Sequence, residues 1–427
     1  MTELGTKETM NYDPSMLARY LPEYYRRLFP FKPFCKWLSY GEKASSYFAR
    51  REFAFILEGD VHLRYRSFND AVEFEKELCK TSPHKLDIGA VYSHQPKDNK
   101  KFGDFRALER ELVFDIDLTD YNEIRKCCSE ANLCRKCWRW ITIAIKVLDN
   151  ILKEDFGFEH RLWVFSGRRG VHCWVADSVA RKLTSMGRSA VAEYLSLISP
   201  IFKGDAKVVS VASKRGYMHP MITDAYQLIM ESGEFDRMVI EQGWLSDQQG
   251  FSSLLEGCTD VSVRNELNAI VNDVLSVEST EQRWHALRIK LDEIKRKEMA
   301  ETGLELCQAA SKEAMNYFRG FVLQHAYPRL DVNVSTSTNH LLKSPFCVHP
   351  KTGRIAVPIT PGQVAHLNPD TLPRIDRLLS ELSKVERDEK QNDNRKTLDY
   401  KHTSLAPFVE TFEVFVDGVL KETSDFD

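Results

Sequence analysis

The chain has 427 residues, 43% of them hydrophobic, and a formal net charge of −3 at pH 7. This length and apolar content are ample for a sizeable core and for about two or three structural units. Proteins that hold long nucleic-acid duplexes by themselves usually carry a strong basic excess. The charge therefore excludes tight binding of a long duplex by this chain alone and predicts weak binding over a short stretch of nucleic acid. Tight binding would need a partner protein.

Cysteine usage and apolar runs predict a reducing, intracellular location. No N-terminal signal sequence is recognisable, and no apolar run is long enough to cross a bilayer, so no membrane association is expected. Six of the ten cysteines show no paired spacing, and no disulfide is expected in such a compartment. These six are Cys35, Cys79, Cys173, Cys258, Cys307 and Cys347.

The first predicted element is a helix near the start of the chain. This segment contains the apolar and aromatic residues Tyr24, Tyr25, Leu28 and Phe29. Arg26 and Arg27 lie between them. We expect this helix to cover one side of the core.

The segment LVFDIDL, residues 112–118, predicts a buried strand that carries two acids. Side chains alternate with a period of two along a strand, so Asp115 and Asp117 project from one face. Two desolvated carboxylates on one face repel each other, and a divalent cation such as Mg²⁺ or Mn²⁺ would relieve that repulsion. The alternative is an exposed strand edge whose acids stay solvated, which the apolar flanks disfavour.

Four cysteines follow this strand within eleven residues, namely Cys127, Cys128, Cys134 and Cys137. Four thiolates are enough for a closed tetrahedral zinc site, which would be structural because it has no open position. The adjacent Cys127–Cys128 pair is unusual for zinc fingers. Scattered reduced thiols are the alternative.

Residues 161–175, RLWVFSGRRGVHCWV, predict two strands around a polar turn. Gly167 and Gly170 permit close backbone approach, while Arg168, Arg169 and the Ser166 hydroxyl can donate to phosphate oxygens. His172 in the second strand offers a further donor. This turn is either a triphosphate cradle or an ordinary basic hairpin loop, and its position after the two acids favours the cradle.

Between about residues 190 and 320 the pattern changes to helical periodicity. Two apolar stripes are visible, Val263, Leu267, Ile270, Val271 and Val274 in the first, and Trp284, Leu287, Leu291 and Ile294 in the second. Strand-like alternation then returns around Asp331, in YPRLDVNVS, and Lys343 and His349 follow. The helical block is therefore predicted to be an insertion into one catalytic domain, and Asp331 is predicted to join the first two acids.

Residues 384–396 are so polar that we predict a linker there. After it, residues 403–420 predict a short amphipathic helix that docks on the domain, although it could instead face a partner. Its apolar side is expected to hold Phe408, Phe412, Val414, Phe415 and Val419.

Taken together, several segments are recognisable. They are YYRRLFP, REFAF, DIGAVYSH, ELVFDIDLTDY, EDFGF, LWVFSGRRGVHCWV, PRLDVNVS and NHLLKSPFCVHPKTGRI. In this order they resemble the catalytic small subunits of eukaryotic DNA primases, within the archaeo-eukaryotic primase superfamily. The resemblance runs from about residue 18 to about residue 410 and is weakest at about 200–320.

The resemblance implies an α/β (α+β) fold with a mixed-sheet catalytic core. The core would comprise residues 1–190 and 320–410, with the zinc motif at 127–137 inside it. The helical subdomain would occupy 191–319, and a C-terminal helix and tail would occupy 397–427.

The resemblance also implies residue roles. Asp115, Asp117 and Asp331 would bind two catalytic Mg²⁺ or Mn²⁺ ions, and the four cysteines would bind one structural Zn²⁺. The residues implied in triphosphate binding are Ser166, Arg168, Arg169, His172, Lys343 and His349. Those implied near the incoming sugar and the floor of the site are Glu52, Arg64, Lys85, Asp87 and His340. His62 departs from the tyrosine expected in vertebrate members, which affects one contact only.

The implied activity is that of a primase, a DNA-directed RNA polymerase that makes short RNA primers on single-stranded DNA for replication by two-metal nucleotidyl transfer. The implied partners are an iron–sulfur primase large subunit, the DNA polymerase alpha complex, the DNA template, the RNA primer and ribonucleoside triphosphates. Nuclear residence is implied by that role alone. The alternatives are a repair polymerase of the same superfamily, a non-catalytic nucleic-acid-binding subunit, and an unrelated metal nuclease.

Overall fold

Two β-sheets and the helices around them form the fold of this computed structural model. The structure describes residues 12–43, 46–129, 132–197, 218–247, 249–250, 279–302, 313–389 and 398–425, with a few single positions between 252 and 269. The predicted α/β class is confirmed.

The first sheet has the strand order β2–β1–β3–β4, and a short strand from late in the chain pairs with β3. Its strands are β1 (Arg51–Ile56), β2 (His62–Arg66), β3 (Lys85–Tyr92), β4 (Ala107–Glu109) and β8 (Leu342–Lys343). The second sheet has the order β5–β7–β6–β9. Its strands are β5 (Leu112–Asp117), β6 (Arg161–Phe165), β7 (Gly170–Val175) and β9 (Pro358–Ile359).

Every strand pair in these two sheets is antiparallel. The predicted mixed sheet was therefore wrong for the described residues. Alternating hydrophobicity reports which residues face the core, but it carries no information about the direction of neighbouring strands.

Thirteen α-helices have described bounds. The first six are α1 (Leu17–Arg27), α2 (Phe31–Ser39), α3 (Ala71–Thr81), α4 (Arg135–Glu154), α5 (Ser178–Arg181) and α6 (Ser185–Leu195). The next four are α7 (Pro220–Glu231), α8 (Glu234–Gln242), α9 (Thr280–Thr302) and α10 (Glu313–Ala326). The last three are α11 (Val332–Thr336), α12 (Ile375–Glu389) and α13 (Ala406–Asp425).

The early aromatic segment is a core element, as predicted. Tyr24 and Tyr25 lie in α1 and are completely buried, and Leu28 and Phe29 directly follow that helix and are also buried. The Tyr24 hydroxyl donates to the Phe346 carbonyl oxygen at 2.8 Å, which ties α1 to the late part of the chain.

The described part of the predicted helical block is mainly helical, with turns between the helices. Helices α7, α8 and α9 lie within it, and Trp284 and Leu287 of α9 are buried as the second stripe predicted. The first stripe and the side chains of Leu291 and Ile294 lie outside the described residues.

Three local predictions were wrong. Asp331 is not in a strand, because it precedes α11 and its side chain caps that helix. The polar run at 384–396 is not wholly a linker, because α12 continues to Glu389, and residues 390–397 lie outside the described part. In α13 the side chain of Val414 is 75% exposed, whereas Val409 and Val416 are buried.

The eight described cysteines form no disulfide. Within the described part of the chain, no helix combines the length and the apolar character that crossing a bilayer would require.

Candidate active site and cysteine cluster

Strand β5 carries two acids on one face, as its sequence predicts. Its other four residues are fully buried, whereas the side chains of Asp115 and Asp117 are 29% and 33% exposed. In the antiparallel pair with β7, Asp115 stands opposite His172 and Asp117 opposite Gly170. The basic turn between β6 and β7 is therefore fixed beside the two carboxylates.

Asp331 reaches these acids from a distant part of the chain. Its backbone N–H donates to the Asp115 carbonyl oxygen at 3.1 Å, and its side chain accepts from the Asn333 N–H as the N-cap of α11. Ser335 of α11 donates to the Val113 carbonyl oxygen at 2.7 Å. These bonds align α11 with β5 and place the third carboxylate beside the first two.

Arg110 binds the C-terminal end of α11. Its guanidinium is completely buried and donates to the carbonyl oxygens of Val334 and Ser337, at 3.1 and 2.8 Å. Burial and the neighbouring Arg188 lower the pKa of Arg110 to about 9. A buried cation therefore holds the end of α11 in place.

The carboxylates influence one another. Burial, followed by repulsion from Asp117 and Asp331, raises the pKa of Asp115 to about 7. Burial also opposes ionisation of Asp117, but hydrogen bonds from Arg169 and Thr119 outweigh it and lower the Asp117 pKa. The contact between Arg169 Nε and Asp117 Oδ1 is 2.7 Å. Thr119 was missed by the sequence reasoning, although a threonine two residues after an aspartate is a recognisable local capping pattern.

The Ser-Gly-Arg-Arg-Gly turn is tightly packed. Gly167 has a φ of +88°, and a β-carbon at Gly170 would lie 2.3 Å from the Ile116 carbonyl oxygen. The Ser166 hydroxyl accepts from the Gly170 N–H at 3.1 Å, so it shapes the turn. Arg168 has no carboxylate partner among the described residues, and it remains free to meet an anionic group.

Lys343 connects the two sheets. It lies in β8 opposite Asp87, and its Nζ donates to the Ser166 carbonyl oxygen at 2.9 Å. Burial lowers the Lys343 pKa. Burial and the charge of Lys343 also lower the pKa of His172 to about 3, and His172 Nε2 lies 3.6 Å from Asp115 Oδ1. His172 is therefore neutral near pH 7.

His349 lies under the turn. Burial, then Lys343 and Arg168, lower the pKa of His349 to about 2. Its Nδ1 accepts from the Lys351 N–H at 3.3 Å, so the ring proton of the neutral histidine is on Nε2. A neutral histidine that can donate is suited to a phosphate oxygen beside several cations.

The residues implied in sugar binding form an adjoining group. Buried Glu52 accepts from Arg64 at 3.0 Å, and Arg64 also contacts the Asn339 carbonyl oxygen, next to His340. Burial, followed by Arg110, lowers the pKa of His340, which Asp331 opposes.

The strand β3 supplies the other two residues of this group. Burial raises the pKa of Asp87, and Lys343 opposes that change. Lys85 pairs instead with Asp60, at 3.2 Å. The structure thus brings all the predicted acidic, phosphate and sugar residues to one region.

The four predicted cysteines converge. Their Sγ atoms all lie within 4.8 Å of one another, and Cys134 Sγ is 3.7 Å from Cys137 Sγ. Tetrahedral zinc–thiolate bonds of about 2.3 Å place two sulfurs about 3.8 Å apart, so the residues fit zinc. A hydrogen bond from Cys137 lowers the pKa of Cys127 to about 5, against the effect of burial.

This cluster lies between the core and the helical block. Gln242, at the end of α8, accepts from the N–H groups of Lys126 and Cys127, at 2.9 and 3.0 Å. The Trp244 indole donates to the Ile124 carbonyl oxygen at 2.7 Å. In the described part of the chain, the cysteines are the one group of three or more metal-ligating side chains whose ligand atoms converge in this way.

Comparison with known proteins identifies the family. The family model for the DNA primase small subunit matches residues 114–361. The DNA primase small subunit of Caenorhabditis elegans is 46% identical over 416 residues, covering 96% of this chain and all of that protein. That of Drosophila melanogaster is 40% identical over 414 residues, covering 95% of this chain and 92% of that protein.

Archaeal relatives match a smaller part. The DNA primase small subunit PriS of Thermococcus kodakarensis is 31% identical over 172 residues, which cover 39% of this chain and 48% of that protein. The eukaryotic relatives match nearly the whole chain, and the resemblance drawn from the motifs is thereby confirmed. The chain belongs to the DNA primase small subunit family.

Proposed function

We propose that this chain is the catalytic subunit of a DNA primase, a nucleotidyltransferase that makes RNA primers on single-stranded DNA. The observation that carries this proposal is the meeting of three aspartates from two distant segments with a cation-lined turn. A dead scaffold would not need such a buried concentration of opposite charges, whose desolvation is costly. The family membership supports the same conclusion.

We propose that Asp115, Asp117 and Asp331 hold two Mg²⁺ or Mn²⁺ ions. The donor set fits, because hard carboxylate oxygens suit these ions and because burial, together with repulsion from the other two acids, raises the Asp115 pKa, which a bound cation would reverse. When bound, such ions lower the pKa of a primer 3′-hydroxyl and stabilise charge at the transferred phosphoryl group.

The surrounding residues position the triphosphate. Arg168, Lys343 and the Nε2–H of His349 present donors from the turn and from the neighbouring sheet. Arg169 is bound to Asp117 and can turn to a phosphate once that carboxylate has another partner. Positioning and electrostatic stabilisation are the main requirements of phosphoryl transfer, and these side chains provide both.

We propose that Lys85 and Asp87 select the ribose. Asp87 is the third residue of β3, and Lys85 is two residues away on the same face. A 2′-hydroxyl both donates and accepts, so it can bond a carboxylate and an ammonium group at once. Equal incorporation of deoxyribonucleotides by the wild-type chain would overturn this part.

We further propose that an iron–sulfur primase large subunit and the DNA polymerase alpha complex are the partners, and that the chain acts in the nucleus. The net charge of −3 supports a need for partners that hold the template. Pull-down with the tagged chain and imaging of its location would test these two points. A tagged chain that recovers neither partner or stays outside the nucleus would contradict them.

The central test is substitution of the two strand aspartates. Asp115→Asn and Asp117→Asn should each lower incorporation of labelled ATP on oligo-dT, from a pre-annealed RNA primer with Mn²⁺, by about a thousandfold or more. Melting temperature should stay near that of the wild type.

Asp120→Asn is the matched control, because Asp120 is an exposed neighbour outside the three acids. Full activity in either strand variant would refute the metal site. Incorporation of deoxyribonucleotides alone by the wild type would favour the repair polymerase.

A further inference from the structure

A cleft of about 620 Å³ opens beside the site, next to the outer strand β2. Its walls come from β2, from the start of α3 and from a 3₁₀ helix at Pro96–Lys101. Arg64 lines this cleft and also bonds Glu52 and the Asn339 carbonyl oxygen of the active site. Arg64 therefore belongs both to the cleft and to the group of residues implied in sugar binding, so the two regions adjoin at this side chain.

The cleft is basic although the chain as a whole is acidic. Its lining holds five cationic side chains against three carboxylates. The cationic residues are Arg64, Arg66, Lys97, Lys100 and Lys101, and the acidic ones are Glu73, Glu77 and Asp98.

Ion pairs leave part of this positive charge uncompensated. Arg66 pairs with Glu77 at 2.8 Å, and Lys101 pairs with Asp98 at 2.7 Å. Lys97 and Lys100 are exposed, and neither forms an ion pair with any described residue. Their charge is available to an anion.

Aromatic rings accompany the cations. Tyr65 lines the cleft, packs at 6.1 Å against Phe105 and lies 4.9 Å below the Arg64 guanidinium. Phe102 directly follows Lys101 and stacks on His94 at 3.8 Å, yet 40% of it stays exposed. Aromatic side chains that are exposed, as Phe102 is, or partly exposed, as Tyr65 is, near lysines without ion-pair partners are suited to stacking with unpaired bases.

We infer that this cleft binds single-stranded template DNA and guides it to the active site. The inference rests on the proposed function, because it assigns a path to the strand that the primase would copy. A free triphosphate would need the cations but not the aromatic rings. Bases inside a duplex are already stacked on each other, so a single strand explains both features.

The test is a binding measurement on the full chain, without divalent metal or nucleotide. A variant that combines Lys97→Glu, Lys100→Glu and Lys101→Glu should bind fluorescent oligo-dT at least about tenfold more weakly. Each lost phosphate contact lowers the slope of log affinity against log salt by about 0.7, so the slope should fall by about 2.

A charge-matched control combines Lys32→Glu, Lys182→Glu and Lys384→Glu, which are exposed lysines on α2, next to α5 and on α12. It changes the net charge equally and should bind like the wild type. An equal loss in the control, or no loss in the cleft variant, would overturn the inference.

Phe102→Ala separates single-strand binding from general backbone contact. Lost stacking should weaken binding about fivefold or more while the salt slope stays unchanged. Wild-type affinity in this variant would refute the single-strand assignment.

Steady-state kinetics on the same proteins test whether the cleft binds the phosphates of a nucleoside triphosphate instead of those of DNA. A cleft variant with normal DNA binding and a raised KM for ATP would assign the cleft to a triphosphate and overturn the inference. Since no chemistry occurs in the binding assay, its result is independent of the Asp115→Asn and Asp117→Asn test of function.

Discussion

At the scale of single residues, the strand β5, which carries Asp115 and Asp117, depends on a buried ion pair at its start. Glu111 directly precedes β5 and is completely buried with Arg51, which binds both carboxylate oxygens at 2.8 and 2.9 Å. The Tyr40 hydroxyl adds a bond at 2.6 Å. Burial opposes ionisation of Glu111, but Arg51 lowers its pKa to about 2.

This pair makes stability depend on pH. The folded pKa of Glu111 is below its ordinary value of 4.5, so its contribution is fully present above pH 4.5 and is lost as the pH falls toward 2. Glu111→Gln should lower the free energy of unfolding by about 3–5 kcal/mol at pH 7, because Arg51 stays buried without its partner. Urea unfolding between pH 7 and pH 3 measures this.

The variant should also lose less stability than the wild type as the pH falls below 4.5. Exposed Glu410→Gln serves as the control and should follow the wild-type curve. Parallel pH curves for Glu111→Gln and the wild type would contradict the assignment.

At the scale of elements, the cysteine loop joins the core to the helical block. Arg139 of α4 pairs with Glu234 and Glu241 of α8, both at 2.6 Å, and Gln242 of the same helix binds the loop backbone. The cysteine loop is therefore held to α8 near both of its ends. A cross-link among its own four cysteines would then make it rigid.

Zinc should provide that cross-link. Natively purified protein is expected to contain about one zinc per chain, and Cys137→Ser should lose it and lower the melting temperature by at least about 5 °C. Elemental analysis and thermal unfolding measure the two effects. Cys79→Ser, outside the cluster, should keep its zinc, and a wild-type chain without zinc would refute the site.

The sequence predicted those elements in which one set of residues faces the core. The strand with Asp115 and Asp117 and the hairpin around the basic turn follow directly from alternation and glycine placement. The alternation of Leu330, Val332 and Val334 with polar residues predicts a strand around Asp331, yet the capping bond of Asp331 starts a helix instead. The meeting of Asp331 with β5 depends on contacts between distant segments, which no local pattern encodes.

At the scale of the whole molecule, the second and the last helices, α2 and α13, pack against each other beside the sheets. Phe412 of α13 is completely buried and packs edge-on against Trp37 of α2 at 5.7 Å and against Phe346 at 5.2 Å. The docking of this helix agrees with the sequence prediction. The exposed face that carries Val414 could not be predicted, because apolar residues occur on both sides of the helix.

Phe412→Ala should therefore lower the free energy of unfolding by about 3–5 kcal/mol, since it leaves a cavity between three parts of the chain. Val414→Ala in the same helix should change it by no more than about 0.5 kcal/mol. Denaturant unfolding compares the two. Equal losses would show that the helix does not pack as described.

The bond from Ser335 to the Val113 carbonyl oxygen spans 222 positions of sequence and lies at the centre of the site. During synthesis on a ribosome, β5 emerges long before the segment that completes it. Asp115 and Asp117 therefore lack Asp331 until the helical block between them has also been made. Because the proposed metal site needs Asp331, a nascent or truncated chain that stops before residue 331 should consequently be inert.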